Sequence, residues 1–171
     1  MVVWLTGLSG VGKSTVGGEL WRQWRSADPN TVLIDGDVMR RIFGHDTGSD
    51  PYTLEGRRTN IERIAAICGW LDAQDINVVC CVLAVFDDVL ESNRKRYSAY
   101  LEVRLTAPRE TLIARDPKGL YAEALAGRTR NVVGVDIPYA LQSQPDLAFD
   151  TAQGMDALHI AERIYQRIRP R

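Results

Sequence analysis

Little in this sequence suits an extracellular, metal-caged or nucleic-acid-binding protein. Cysteine occurs three times, as Cys68, Cys80 and Cys81, with no CxxC spacing. Adjacent strand residues point to opposite faces and cannot readily bridge, so all three are expected to be reduced, buried, small apolar side chains. His45 and His159 stand in no ligand pattern and are assigned packing or surface roles. Positive charge is not in excess: the formal net charge is −1, so affinity for phosphate must come from local placement of Lys, Arg and backbone N–H groups, and nucleic acid is excluded as a partner. No apolar run is long enough to cross a bilayer, and MVVWLTG leads straight into glycine without a basic leader or a small-residue cleavage site. No membrane association and a cytoplasmic location are expected.

The 171 residues are 45% hydrophobic and 25% charged, which suits one compact domain spanning 1–171. Val2 to Thr6, Thr31 to Ile34, Ile76 to Val85, Tyr100 to Leu105 and Leu147 to Asp150 are apolar, β-rich runs that read as strands. Between them lie helical patterns. One starts near Gly12, carries Trp21 and Trp24, and breaks at Asp28-Pro29-Asn30. A second is capped by Thr53 and carries Ile61, Ile64, Ala65, Cys68 and Leu71. Others occupy Glu91 to Arg96, the stretch between a first-turn Pro108 and Pro117, and Ala157 to Ile168, where the basic tail from Arg163 is read as the solvated face of an amphipathic helix. Strands alternating with helices imply an α/β fold of three layers, a parallel sheet flanked by helices, with ligands beyond the carboxyl ends of the strands. Residues 116–145, rich in Gly, Pro, Arg and Asn, read as an excursion from the core and a mobile lid.

Gly7-Leu8-Ser9-Gly10-Val11-Gly12-Lys13-Ser14 fits G-x-x-x-x-G-K-[ST] between a strand and a helix, where a phosphate-binding loop has to lie. The glycines let backbone N–H groups and the positive end of the following helix face nucleotide phosphates. Lys13 is placed to reach the β- and γ-phosphates, Ser14 to offer its hydroxyl to Mg²⁺, and Thr15 to meet the α-phosphate, so ATP and Mg²⁺ are the expected cofactors. Asp35 and Asp37 follow the second strand at the same sheet edge. One of them is expected to act as base or magnesium partner, with Asp35 favoured and Asp37 equally well read as a helix cap. Arg40, Arg57, Arg58 and Arg63 cluster where an anionic acceptor would lie, with surface solvation as the alternative.

GLSGVGKST, IDGDVMR, Arg57 with Asn60 and Arg63, and RDPKGLYAEALAG together resemble the adenylylsulfate kinase family over nearly the whole chain. Its members phosphorylate the 3′-hydroxyl of adenosine 5′-phosphosulfate. The resemblance implies Asp35 as the catalytic base, Asp37, Arg40, Arg57 and Asn60 as acceptor-binding positions, and Arg115 and Lys118 as lid residues near the nucleotides. It also implies that RDPKGLY opens a mobile lid.

The chain departs from that family where the acceptor base should stack. A GFTGID-like string is replaced by Asn131-Val132-Val133-Gly134-Val135-Asp136, an LGFS-like string by Thr47-Gly48-Ser49-Asp50-Pro51-Tyr52, and an ISPYR-like string by Leu83-Ala84-Val85-Phe86-Asp87. Two rings are lost, each worth on the order of 1–3 kcal/mol by analogy with base stacking, with Tyr52 a substitute stacking candidate. INVVCCVLAVF and NVVGVD look more like the cytidine diphosphoramidate kinases, a divergent branch that phosphorylates a pyrimidine nucleotide. The acceptor is therefore expected to be a small nucleotide, adenosine phosphosulfate first and cytidine diphosphoramidate second. A nucleotide-dependent regulatory ATPase stands as the alternative of another class, and homodimer formation stays open.

Overall fold

The computed structural model describes residues 1–44 and 50–169. Five strands run β1 (Val2–Thr6), β2 (Thr31–Asp35), β3 (Asn77–Cys81), β4 (Tyr100–Thr106) and β5 (Leu147–Asp150), and they form one parallel sheet in the order β2-β3-β1-β4-β5. Seven α-helices are seen among the described residues: α1 (Lys13–Ala27), α2 (Gly36–Ile42), α3 (Leu54–Asp72), α4 (Asp87–Arg96), α5 (Arg109–Arg115), α6 (Leu120–Leu125) and α7 (Ala157–Ile168). The expected α/β architecture of a parallel sheet covered on both faces is what forms.

Strand alternation divides the core in two. Val3, Leu5, Val79, Cys81, Val103 and Leu105 face α1 and α7, with Leu20, Trp24, Ile160 and Ile164 closing that side. Val2, Trp4, Val78 and Cys80 face α3, where Ile61, Ile64, Ala65 and Cys68 meet them. Cys80 and Cys81 thus lie on opposite faces, and all three cysteines are buried and free, as the pattern required.

Local signals set most boundaries. The Thr53 hydroxyl accepts Gly56 N–H at 3.1 Å and starts α3, as expected of a capping threonine. The strand expected over Ile76 to Val85 is shorter: β3 stops at Cys81, although Val82 and Ala84 stay buried. Its partner β1 ends at Thr6, and there the Thr6 hydroxyl, not another strand, takes the Ala84 N–H at 3.2 Å. Pro108 sits one residue earlier than expected, as the N-cap of α5.

The segment leading into β5 is fastened by a buried charge. Glu102 is fully buried and accepts from Arg94 at 3.1 Å and Arg104 at 3.0 Å, while Asp146 accepts the Glu102 N–H at 2.7 Å and pairs with Arg94. Glu102→Ala leaves two guanidiniums without their shared carboxylate, and losing one partner of a buried pair costs about 3–5 kcal/mol. At roughly 2–4 °C per kcal/mol for a chain of this size, a thermal scan should show the midpoint fall by about 10 °C.

Candidate active site

β1 delivers the chain into the glycine-rich turn at the carboxyl edge of the sheet. Gly7 is obligatory there: its φ is +149°, and a Cβ would stand 2.4 Å from the Leu105 carbonyl oxygen of β4. Gly12, at φ +97°, is the N-cap of α1 and offers no side chain to the helix's first N–H groups. Those donors face the hollow of the loop together with the positive end of α1, an arrangement suited to an anion. Gly10 also has positive φ; Val11 gives its side chain to the core and only its backbone to the loop. Thr15 is exposed in the first turn of α1. Ser9 is held from above, its carbonyl accepting the Tyr121 hydroxyl at 3.0 Å.

The Lys13 ammonium folds back over the loop and donates to the carbonyls of Gly7 at 2.9 Å and Leu8 at 2.8 Å. Burial pulls it down to about 8, against the raising influence of Cys81 and Asp37, so it remains charged at neutral pH. Neutral carbonyls are weak partners for a desolvated cation; a phosphate oxygen would be a stronger one.

Ser14 follows, and its hydroxyl donates to Asp35 Oδ2 at 2.6 Å. Asp35 Oδ1 accepts the N–H groups of Asp37 at 2.9 Å and Val38 at 3.3 Å. The helix-cap role weighed for Asp37 therefore belongs to Asp35, because β2 runs one residue further than Ile34 and puts Asp35 at the corner. Asp37 instead points outward and pairs with Lys118 from the 116–145 segment. Partial burial would raise its carboxyl, but the Lys118 ammonium wins and holds it below the usual carboxylate range.

A second cationic centre lies on α2 and α3. The buried Arg40 donates to Pro51 O at 2.6 Å, and Arg57 donates to Tyr52 O at 2.9 Å and Asn131 O at 2.8 Å. Their guanidiniums lie 4.9 and 5.7 Å from the Tyr52 ring, so that tyrosine is engaged by cations. Burial, reinforced by Arg40, pulls the Arg57 guanidinium down to about 10. Among the described residues the hydrogen bonds of both go to carbonyls rather than carboxylates, and two close positive charges are an arrangement that an anion would relieve. Asn60 is buried nearby on α3; its Oδ1 and the Nε of Arg40 have no partner among the described residues.

Arg58 and Arg63 do not join this centre. Arg58 pairs with Asp88 at 2.9 Å and lies 4.2 Å over the Phe86 ring, and Arg63 lies over Phe43. Arg115 donates to the hydroxyl and carbonyl of Thr151, beyond β5, at 3.0 and 2.8 Å. His159 binds Asp156 at the exposed start of α7, a surface role as expected, whereas His45 and the 47–49 string lie outside the described residues. Tyr121, which holds Ser9, was missed. Its mark in the sequence is its place in the RDPKGLY string.

Segment 116–145 is tied down at several points: Lys118 to Asp37, Tyr121 to Ser9, Asn131 to Arg57, and the N–H groups of Gln142 and Ser143 to Asp87 at 3.0 and 2.8 Å. A cavity of about 360 Å³ lies between it and the loop, lined by Leu8, Ala107, Arg109, Gly134, Asp136 and Tyr139 among others. A larger groove of about 420 Å³, lined by Met155, His159 and Arg163, includes no phosphate-loop residue and bears on none of this chemistry.

Among the described residues, no three His, Cys, Asp or Glu side chains gather into a metal cage, and no helix is long and apolar enough to cross a membrane. A hard divalent cation still fits a site with few protein ligands: the exposed Ser14 hydroxyl, backed by Asp35 and completed by phosphate and water oxygens.

The family model described as adenylylsulphate kinase matches residues 1–150. The bifunctional enzyme NodQ of Azospirillum brasilense is 38% identical over 168 residues, 96% of this chain but only 26% of that protein, so the chain spans about a quarter of that relative. The cytidine diphosphoramidate kinase of Campylobacter jejuni is 36% identical over 138 residues, covering 81% of this chain and 79% of that one. The Mycobacterium tuberculosis APS kinase CysC, solved with AMPPNP and APS, superposes with a TM-score of 0.85 at 28% identity, covering 96% of this chain and 95% of the other.

Proposed function

The chain belongs to the adenylylsulphate kinase family, and on that premise we propose that it transfers the γ-phosphoryl group of ATP to a ribose hydroxyl of a small nucleotide, adenosine phosphosulfate in the first reading. The observation that carries this is the pairing of two cationic centres along one sheet edge: the loop with Lys13, and the Arg40–Arg57 pair, whose guanidiniums donate to carbonyls among the described residues. One suits a triphosphate and the other the anionic end of an acceptor, with Asp35 at the end of β2 between them in the chain.

In this mechanism Lys13 exchanges the Gly7 and Leu8 carbonyls for β- and γ-phosphate oxygens, while the N–H groups around Gly10 to Thr15 hold the rest of the tail. Ser14, steadied by Asp35, would hold Mg²⁺, which when bound offsets charge on the phosphate oxygens. Asp35 orients the acceptor hydroxyl and takes its proton as the oxygen bonds to the γ-phosphorus and the bond to the ADP oxygen breaks. Arg40, Arg57 and Asn60 position the acceptor, Arg115 lies on the ATP side, and Lys118 with the rest of 116–145 closes over both nucleotides and excludes water. The work of the site is largely positioning and charge stabilisation. Closure by a mobile segment and a cytoplasmic setting belong to the same proposal, as does pairing into a homodimer.

A cytidine acceptor is the second reading. It is favoured by the buried Val132 and Val133, which stand where a stacking ring is expected, and by the similarity to a cytidine diphosphoramidate kinase. An ADP-release assay with adenosine phosphosulfate beside cytidine diphosphoramidate decides between them; equal hydrolysis with and without either acceptor would instead favour the regulatory ATPase. With the true acceptor, Arg57→Ala should raise the acceptor KM about tenfold or more and leave the ATP KM within about twofold, since it removes one buried charge-assisted contact on the acceptor side alone.

A further inference from the structure

Helix α1 carries two adjacent glycines, Gly17 and Gly18, directly after the phosphate loop, where glycine weakens a helix relative to alanine. Their surroundings differ. A Cβ on Gly18 would meet nothing closer than the Arg22 guanidinium at 3.8 Å, an ordinary contact at the end of a flexible side chain. A Cβ on Gly17 would lie 2.1 Å from the Cys81 sulfur, with Val79 at 3.5 Å behind it. The thiol occupies the volume that a side chain at position 17 would need.

Cys81 is the last residue of β3, in register with Leu5 of β1 and Asp35 of β2, and it faces α1. Its thiol donates to the Lys13 carbonyl at 3.4 Å. Burial pushes that thiol up to about 12, so it keeps its proton and stays a donor across the working range. One buried group therefore touches the first residue of α1 and the helix's second turn, and sets how closely α1 approaches the sheet. Ser14, the next residue, must meet Asp35 across the gap that this approach defines.

We infer that Gly17 and Cys81 are a complementary pair of positioning residues that seats the amino end of α1 on β3 and so fixes Lys13 and Ser14 for the triphosphate. The inference rests on the ATP-binding reading above, and on the steric contrast between Gly17 and Gly18. Neither residue belongs to the phosphate loop: Gly17 lies within α1 and Cys81 ends β3. A side chain at 17 pushes the first turn away from the sheet, and removing the Cys81 side chain makes room for it again.

The test uses the full chain as wild type, Gly17→Ala, Gly18→Ala, Cys81→Ala and the Gly17→Ala/Cys81→Ala double variant, with ATP·Mg²⁺ affinity by calorimetry and thermal midpoints on the same samples. Expected are a loss of affinity of about tenfold or more for Gly17→Ala, a change within about twofold for Gly18→Ala, and recovery to within about threefold of wild type in the double variant, the non-additivity of residues in contact. Gly18→Ala should unfold at the same or a higher temperature. If Gly17→Ala is insoluble, a soluble, ATP-binding double variant supports the pairing, and a double variant that fails while Cys81→Ala folds overturns it. Wild-type affinity in Gly17→Ala, or a soluble double variant no better than Gly17→Ala, also overturns it. A folded wild type that gives no heat with ATP·Mg²⁺ sinks the functional reading itself, and the pairing with it.

Discussion

Lys13→Ala should lose at least about three orders of magnitude in turnover with any acceptor while melting at or above the wild-type temperature. The two halves of that expectation come from one fact. The ammonium is withdrawn from water and donates to the Gly7 and Leu8 carbonyls, and burial pulls its pKa down to about 8. Removing the cation removes the cost of that burial, and the loop keeps its shape because Gly7, Gly10 and Gly12 set its dihedrals. In the proposed mechanism the same cation meets charge that develops as the γ-phosphoryl group transfers. Removing a single preorganised donor from such a site costs about 10²–10³ in kcat, and a full charge in this position should cost more. ADP release measured beside a melting curve checks both. Turnover within about tenfold of wild type, in a folded variant, would take Lys13 out of the mechanism.

What could be read from the sequence, and what could not, follows the range over which each feature is determined. β1 and β5 appear at their expected limits, and α3 begins at the threonine expected to cap it, because strand runs, glycine stops and caps are decided within a few residues. The end of β3 is decided elsewhere: Val82 and Ala84 are as apolar as the strand before them, and the ladder stops because β1 stops. Arg57 and Arg58 are neighbours of equal charge, yet a step of about 100° along the helix sends one toward Asn131 and the other toward Asp88. The rotation of α3 is set by its packing against the sheet, which no local pattern contains. The contacts of segment 116–145 are not written in its own composition for a similar reason: Asp37, Asp87 and the Ser9 carbonyl lie more than 50 residues away in the chain. The glycines of the loop were legible as a motif, whereas Gly17 was not, since the reason for it stands on β3.

Asp35→Asn separates charge from shape at the other side of the reaction. Asparagine caps helices as well as aspartate, and its amide oxygen can still accept the N–H groups of Asp37 and Val38, so α2 should keep its start and stability should change by less than about 0.5 kcal/mol. Ser14 keeps an acceptor or gains a donor at the second atom, and ATP affinity should stay within about threefold because the loop amides and Lys13 carry most of the grip. The amide cannot take a proton from an alcohol, and it carries no charge to steady a metal-bound serine. Loss of a general base costs about 10²–10⁴, so kcat should fall by that factor while the KM for ATP scarcely moves. The comparison with Asp37→Asn sharpens the assignment. Asp37 caps nothing and faces Lys118, so its amide variant should weaken the hold on the 116–145 segment and raise KM more than it lowers kcat. If Asp35→Asn turns over at the wild-type rate and Asp37→Asn does not, the base is the outer carboxylate, and Asp35 serves only as the cap of α2 and the partner of Ser14.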